Sequence, residues 1–79
     1  MEFEVEQAGC EGCAALVRSA LEPLATVERL EIDEAADRAS VQLRPTGELT
    51  EAAVNEALAA ASQGSGHAYR VRPGSWTPA

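Results

Sequence analysis

The sequence predicts an α+β sandwich whose elements follow the order β-α-β-β-α-β, and three observations support this prediction. Four short segments alternate apolar and polar residues, as strands with one buried face do. Two longer segments repeat their apolar residues at helical spacing. The second strand leads into the third through a short turn, so the chain is built from two split β-α-β units.

The first strand and the first helix lie on either side of a glycine-containing loop. Residues 2–7 are the strand, with Phe3 and Val5 on its buried face and glutamates on the other. The helix begins at Cys13, and Pro23 is expected to end or kink it within a turn. Its apolar stripe consists of Leu16, Val17, Ala20, Leu21 and Leu24.

The middle of the chain predicts an antiparallel hairpin. Residues 27–33 are the second strand and residues 39–44 the third, because both segments alternate apolar and polar side chains. Residues 34–37 are the turn between them. Residues 45–47, which include a proline and a glycine, end the third strand.

The second helix is predicted to begin after Thr50, because threonine is a favourable N-cap residue. Leu49, just before the cap, can pack against Val54 in the first turn and fix the direction in which the chain enters the helix. The apolar face of the helix consists of Val54, Ala57, Leu58 and Ala61.

The glycine-rich residues 63–66 end the second helix, and residues 67–72 are predicted as the last strand. We assign residues 1–72 to one domain and expect residues 73–79 to be a flexible C-terminal tail. With this order of elements, both helices cover one face of a single antiparallel four-stranded sheet. The predicted fold is therefore a ferredoxin-like sandwich.

The charge of the chain argues against two classes of partner. The formal net charge is -7, with six arginines and no lysine, whereas nucleic acids and anionic membranes attract clustered basic residues. The sequence also begins without the apolar region of a secretory signal, and no run is long enough for membrane insertion. We therefore expect a cytoplasmic protein that binds neither nucleic acid nor membrane.

The two cysteines of the chain lie in the segment Gly9-Cys10-Glu11-Gly12-Cys13, at the start of the first helix. In the cytosol a lone Cys-x-x-Cys pair is more often metal-binding or catalytic than a structural disulfide. Two thiolates at this spacing suit soft ions such as Cu(I), Zn(II) or Hg(II). They cannot alone complete the tetrahedral shell of structural zinc, and the sequence offers no second pair.

Thiol–disulfide exchange is the main alternative use of the cysteine pair, since thioredoxin-like folds also place Cys-x-x-Cys between a strand and a helix. Those folds continue with a strand and another helix, whereas here a hairpin follows the first helix directly. The order of elements therefore favours metal binding over a dithiol oxidoreductase. A protein-interaction module with idle cysteines is a third interpretation.

The cysteine segment and the order of elements resemble heavy-metal-associated domains, which include small copper chaperones and modules of heavy-metal P-type ATPases. The family motif is Gly-Met-x-Cys-x-x-Cys, and Cys10 and Cys13 match its two metal ligands. Gln7 and Ala8 replace the motif's glycine and methionine. The resemblance spans residues 2 to 72 and includes Val17, Leu21, Val27, Leu30 and Ile32 at its apolar positions, and Gly66, His67 and Val71 at its last strand.

The resemblance implies a cytoplasmic metallochaperone that passes Cu(I) to a P-type ATPase, or to the metal-binding domain of one, by thiolate ligand exchange. A carrier of Zn(II) or Hg(II) is the alternative within the same fold, and no enzymatic activity is expected. The resemblance also places His67 beside the metal loop. His67 is therefore a candidate third ligand next to Cys10 and Cys13, or else a group that tunes the local charge. We expect a monomer, or a dimer bridged by metal.

Overall fold

The computed structural model describes residues 1–45 and 47–77 and contains the predicted order of elements. Thr46, in the segment expected to end the third strand, and the last two residues of the expected tail lie outside the described residues. The elements are β1 (Glu2–Glu6), α1 (Cys13–Leu21), β2 (Ala25–Asp33), β3 (Arg38–Pro45), α2 (Glu51–Ser62) and β4 (Arg70–Val71).

The four strands form one sheet in the order β2-β3-β1-β4, and each neighbouring pair is antiparallel. The buried side chains of β1 and β3 join those of both helices in one apolar cluster, so α1 and α2 pack on the same face of the sheet. The prediction of a ferredoxin-like sandwich is confirmed. The largest fully buried aliphatic side chains at its centre are Val5, Val17, Leu21, Leu43, Val54 and Leu58.

Strand β2 is two residues longer than predicted and contains a bulge. The pairing with β3 shifts register between Val27 and Arg29, so Glu28 is the additional residue. A bulge reverses the side-chain alternation from that point on. It explains how Val27 and Leu30, which are three residues apart, both pack against the core.

Both helices have the boundaries that local chemistry favours. Helix α1 ends at Leu21, two residues before Pro23, because proline has no N–H to donate to a carbonyl of the preceding turn. Thr50 caps α2, because its hydroxyl accepts a hydrogen bond from the Ala53 N–H at 3.2 Å. Within residues 1–45 and 47–77, neither helix has the length and apolar character needed to cross a bilayer.

The prediction of a strand over residues 67–72 is wrong in extent, because β4 comprises only Arg70 and Val71. The Arg72 N–H donates to the Glu4 carbonyl at 2.7 Å, but several other N–H groups in this segment donate to side chains, which leaves little of the backbone ladder. The Ala68 N–H donates to Gln7 Oε1 at 3.1 Å, and the Val71 N–H donates to Asn55 Oδ1 at 2.7 Å. His67 is consequently part of a loop and precedes the sheet.

The segment after β4 lies along β1 as far as Thr77. The Thr77 N–H donates to the Glu2 carbonyl at 2.8 Å, and the Glu2 N–H donates back to Thr77 at 2.9 Å. The Trp76 ring stacks on Phe3 with centroids 5.4 Å apart. The domain boundary at residue 72 and the flexibility of residues 73–79 stay predictions.

The loop that carries Cys10 is packed against the turn between β2 and β3. Gly9 is buried, and its N–H donates to Asp37 Oδ1 at 3.1 Å. A Cβ atom on Gly9 would lie 2.5 Å from the Asp37 Cα and 2.9 Å from the Asp33 carbonyl oxygen. Real Cβ atoms do not come this close to backbone atoms, so glycine is required by the close approach of the two backbones.

Replacing Gly9 therefore tests how tightly the cysteine loop is held. We expect Gly9→Ala to lower the free energy of unfolding by about 2 kcal/mol, the usual cost of an atom forced into a filled space. Gly12→Ala is the matched control, because a Cβ there meets nothing within 4 Å. Urea unfolding of both variants measures the difference, and equal stabilities would contradict the close approach.

Candidate metal centre

Cys10 and Cys13 lie at the junction of the loop and α1, with their Cα atoms 5.1 Å apart. Cys10 is half-buried and contacts the core, whereas Cys13 is fully buried at the first position of the helix. The Cys13 N–H donates to the Cys10 carbonyl at 3.1 Å, which closes the turn between them. This turn brings both sulfur atoms to the same place.

The two sulfur atoms are joined in a disulfide in this structure. The sequence predicts a pair of metal-binding thiolates, whereas here the closed turn places the Cα atoms within bridging distance. The Cys13 sulfur also lies 3.9 Å from the Gln7 carbonyl oxygen. A disulfide sulfur has no proton to donate, so this is a packing contact here and a hydrogen bond only in the reduced thiol.

His67 lies next to the cysteine pair, as the sequence analysis expected. One ring nitrogen of His67 and the sulfur atoms of Cys10 and Cys13 all lie within 4.8 Å of one another. His67 is half-buried, and its N–H donates to Ser65 Oγ at 3.1 Å. Gly66, with φ of 83°, supplies the turn that leads into it. Donors separated by 57 residues of sequence are therefore brought together.

The three donors fit a soft metal ion once the disulfide is reduced. Metal–sulfur bonds of about 2.3 Å and metal–nitrogen bonds of about 2.0 Å place the donors of a three-coordinate ion about 4 Å apart. The His67 nitrogen lies within 4.8 Å of both sulfurs, so separation of the sulfur atoms and a small movement of the imidazole would produce this arrangement. Glu11, between the cysteines, is exposed and is absent from this donor group.

Tyr69 forms the buried floor next to His67. The two rings stack with centroids 5.7 Å apart and an interplanar angle of 12°. Tyr69 is 2% exposed, and its hydroxyl finds no hydrogen-bond partner in the part of the chain that the structure describes. Burial raises the pKa of the Tyr69 phenol above its usual value, and the negative charge of Asp37 raises it further.

Two residues that sequence reasoning did not assign to the site help to shape it. Asp37 has φ of 53° and accepts the Gly9 N–H, so it anchors the cysteine loop. Gln7 has φ of 60°, a conformation that costs a non-glycine residue about 1 kcal/mol or more. Two features of the sequence pointed to these residues. The turn around Asp37 contains no glycine, and Gln7 occupies a position where the family motif has a glycine.

The profile of the heavy-metal-associated domain matches residues 2–64, which is most of the chain. This chain belongs to the heavy-metal-associated domain family. Among curated protein sequences none matches the chain significantly. The resemblance inferred from the cysteine segment and the order of elements is confirmed, and membership supports heavy-metal binding.

Two solved structures are similar to this heavy-metal-associated domain. One is described as "Crosstalk between Cu(I) and Zn(II) homeostasis"; it is 23% identical, with a TM-score of 0.59, and the match covers 91% of this chain and 99% of that one. The other is oxidized MerP from Ralstonia metallidurans CH34. It is 15% identical, with a TM-score of 0.58, and the match covers 91% of this chain and 96% of that one. At these identities the likeness shows the shared fold.

A Tyr69→Phe variant tests the unpaired phenol beneath the site. We expect its free energy of unfolding at neutral pH to be unchanged or raised by about 1 kcal/mol, since a buried hydroxyl without a partner is unfavourable. The raised pKa of the Tyr69 phenol also determines how the free energy of unfolding changes at high pH. Stability from the neutral phenol is fully present below pH of about 10 and is lost as pH rises through the higher folded pKa.

Urea unfolding of the oxidised protein between pH 7 and 11 measures both effects. The wild type should lose more stability than Tyr69→Phe as pH rises above about 10. A Tyr69→Phe variant that is destabilised by more than about 1 kcal/mol at neutral pH would show that the hydroxyl has a partner, contrary to the structure.

Proposed function

We propose that this domain is a cytoplasmic metallochaperone that carries a soft metal ion bound to Cys10, Cys13 and His67. The observation that supports the proposal is the gathering of these three donor atoms within 4.8 Å at one end of the fold. Cu(I) is the cargo we favour, and Zn(II) or Hg(II) are the alternatives that the same soft donors accept. The metal is a transient cargo of the protein, so no substrate is chemically transformed.

Binding requires that the disulfide first be reduced. Two electrons and two protons convert the Cys10–Cys13 disulfide into two thiols, and each thiol releases its proton when it binds the metal. Cytosolic thiol reductants supply these electrons, which is one reason to place the protein in the cytoplasm. Metal affinity should consequently depend on both pH and the redox state of the cysteines.

The exposure of the cysteines suggests how the metal leaves. Cys10 is half-buried at the surface of the loop, whereas Cys13 is fully buried, so a partner thiolate approaches on the Cys10 side. The incoming thiolate binds the metal, and one of the two thiolates of this domain then dissociates. We propose a heavy-metal P-type ATPase, or its metal-binding domain, as the receiving partner, and a monomer as the working form.

The proposal predicts different effects for the two kinds of donor. A double Cys10→Ser, Cys13→Ser variant should lose measurable Cu(I) binding, because both soft ligands are gone. His67→Ala should lower Zn(II) affinity by at least about tenfold and Cu(I) affinity by less, since two thiolates can still hold Cu(I) alone. Anaerobic titration of the reduced protein against a competing chelator measures both affinities.

Glu11→Gln is the matched control for these variants. Glu11 lies between the cysteines but is exposed, and its carboxylate is a poor ligand for soft ions, so both affinities should stay at the wild-type value. Unchanged affinities in His67→Ala would remove the third donor from the proposal. Retained tight Cu(I) binding in the double serine variant would refute the metallochaperone function.

A dithiol oxidoreductase is the second candidate, because the structure contains the Cys10–Cys13 disulfide that such an enzyme would use. The two functions give opposite results in an insulin-reduction assay with a thiol reductant. A metallochaperone should give the same rate as its double serine variant. A rate well above that of the variant, together with weak metal binding, would favour the oxidoreductase.

A further inference from the structure

Gln7 has an unusual backbone conformation at the edge of the metal centre. Its φ is 60°, in the left-handed region where residues other than glycine, asparagine and aspartate are uncommon. Such conformations persist where the surrounding structure holds them, and they concentrate at functional sites. A glycine would occupy the position without strain, so the side chain of Gln7 should contribute something in return.

The contacts of Gln7 reach both halves of the donor group. Its backbone carbonyl oxygen lies 3.9 Å from the Cys13 sulfur. Its side-chain Oε1 accepts the N–H of Ala68 at 3.1 Å, although the two residues are 61 positions apart in sequence. Ala68 directly follows His67. Gln7 thus connects the cysteine loop to the segment that carries the candidate nitrogen donor.

The His67 segment, residues 67–68, has few other supports besides the burial of the next residue, Tyr69, in the core. It lies before β4, which begins at Arg70, and therefore gains nothing from the backbone ladder of the sheet. Its remaining anchors are the hydrogen bond to Ser65 and the ring stacking on Tyr69. Across residues 1–45 and 47–77, the Gln7–Ala68 hydrogen bond is the one that joins this segment to the cysteine loop.

We propose that Gln7 is a positioning residue that holds the His67 segment against the cysteine loop and thereby sets the preference of the site for Zn(II) over Cu(I). The inference rests on the proposed function, because it acts through His67 as a metal ligand. Fixing the imidazole before binding favours ions that use a third donor. A two-coordinate ion held by the thiolates alone gains nothing from it.

Three variants at position 7 test the role. Gln7→Gly relieves the backbone strain and removes the acceptor, Gln7→Leu keeps the bulk without the acceptor, and Gln7→Glu keeps an acceptor of the same reach. In the reduced, metal-free protein, hydrogen exchange of the Ala68 N–H should accelerate about 2- to 10-fold in the glycine and leucine variants, the range of one exposed hydrogen bond. It should stay near the wild-type rate in Gln7→Glu.

The ratio of Zn(II) to Cu(I) affinity is the second measurement. It should fall about 2- to 10-fold in Gln7→Gly and Gln7→Leu and stay close to wild type in Gln7→Glu. The fall in Gln7→Gly should occur without loss of stability toward urea, which separates positioning from a structural role. In a His67→Ala background, Gln7→Gly should change the ratio no further, since its effect passes through His67.

The outcomes separate this inference from the proposed function. If His67→Ala changes the ratio but Gln7→Gly and Gln7→Leu do not, the role of Gln7 is overturned and the three-donor site stands. An unchanged Ala68 exchange rate in these variants also overturns it. If His67→Ala itself leaves the ratio unchanged, both the third donor and the role of Gln7 are overturned.

Discussion

The candidate metal centre depends on the close approach of two backbones at Gly9. There the cysteine loop lies against the turn between β2 and β3 with no space for a Cβ atom. The Asp37 carboxylate accepts the Gly9 N–H and fixes the direction in which the chain leaves this contact. Because Cys10 follows immediately and Cys13 begins a helix packed in the core, both sulfur positions follow from this one contact.

His67, the proposed third donor, reaches the same place by a different route. Strand β4 pairs with β1 at the edge of the sheet, so the loop between α2 and β4 lies near the end of β1. The turn at Gly66 then directs His67 toward the cysteines. Side chains then replace the sheet as the support of this segment, through Gln7, Ser65 and the Tyr69 ring. A loop held in this way can position the proposed donor without being part of the sheet.

Most of the fold could be predicted from the sequence because its elements follow from local patterns. The alternation in β1, the apolar stripe of α1 as far as Leu21 and the cap at Thr50 are properties of neighbouring residues, and the structure confirms them, whereas Leu24 lies beyond the end of α1. The extent of β4 could not be predicted, since Ala68 and Val71 donate to side chains from distant parts of the chain.

In the site, too, local patterns could be predicted from the sequence and long-range contacts could not. Cys10 and Cys13 form a Cys-x-x-Cys motif that is recognisable in the sequence, and the family resemblance placed His67 near them. The anchoring roles of Asp37 and Gln7 depend on contacts between segments 28 and 61 residues apart, which no local pattern encodes. The oxidation state of the cysteines depends on the redox surroundings, so no sequence pattern determines it.

X-ray absorption at the metal edge of the reduced, Zn(II)-loaded protein tests the central claim most directly, because it counts donor atoms by type and distance. The account predicts two sulfur donors at about 2.3 Å and one protein nitrogen at about 2.0 Å, with the nitrogen absent in His67→Ala. A wild-type spectrum with no imidazole nitrogen, or with three or more sulfur donors from metal-bridged copies, would contradict it.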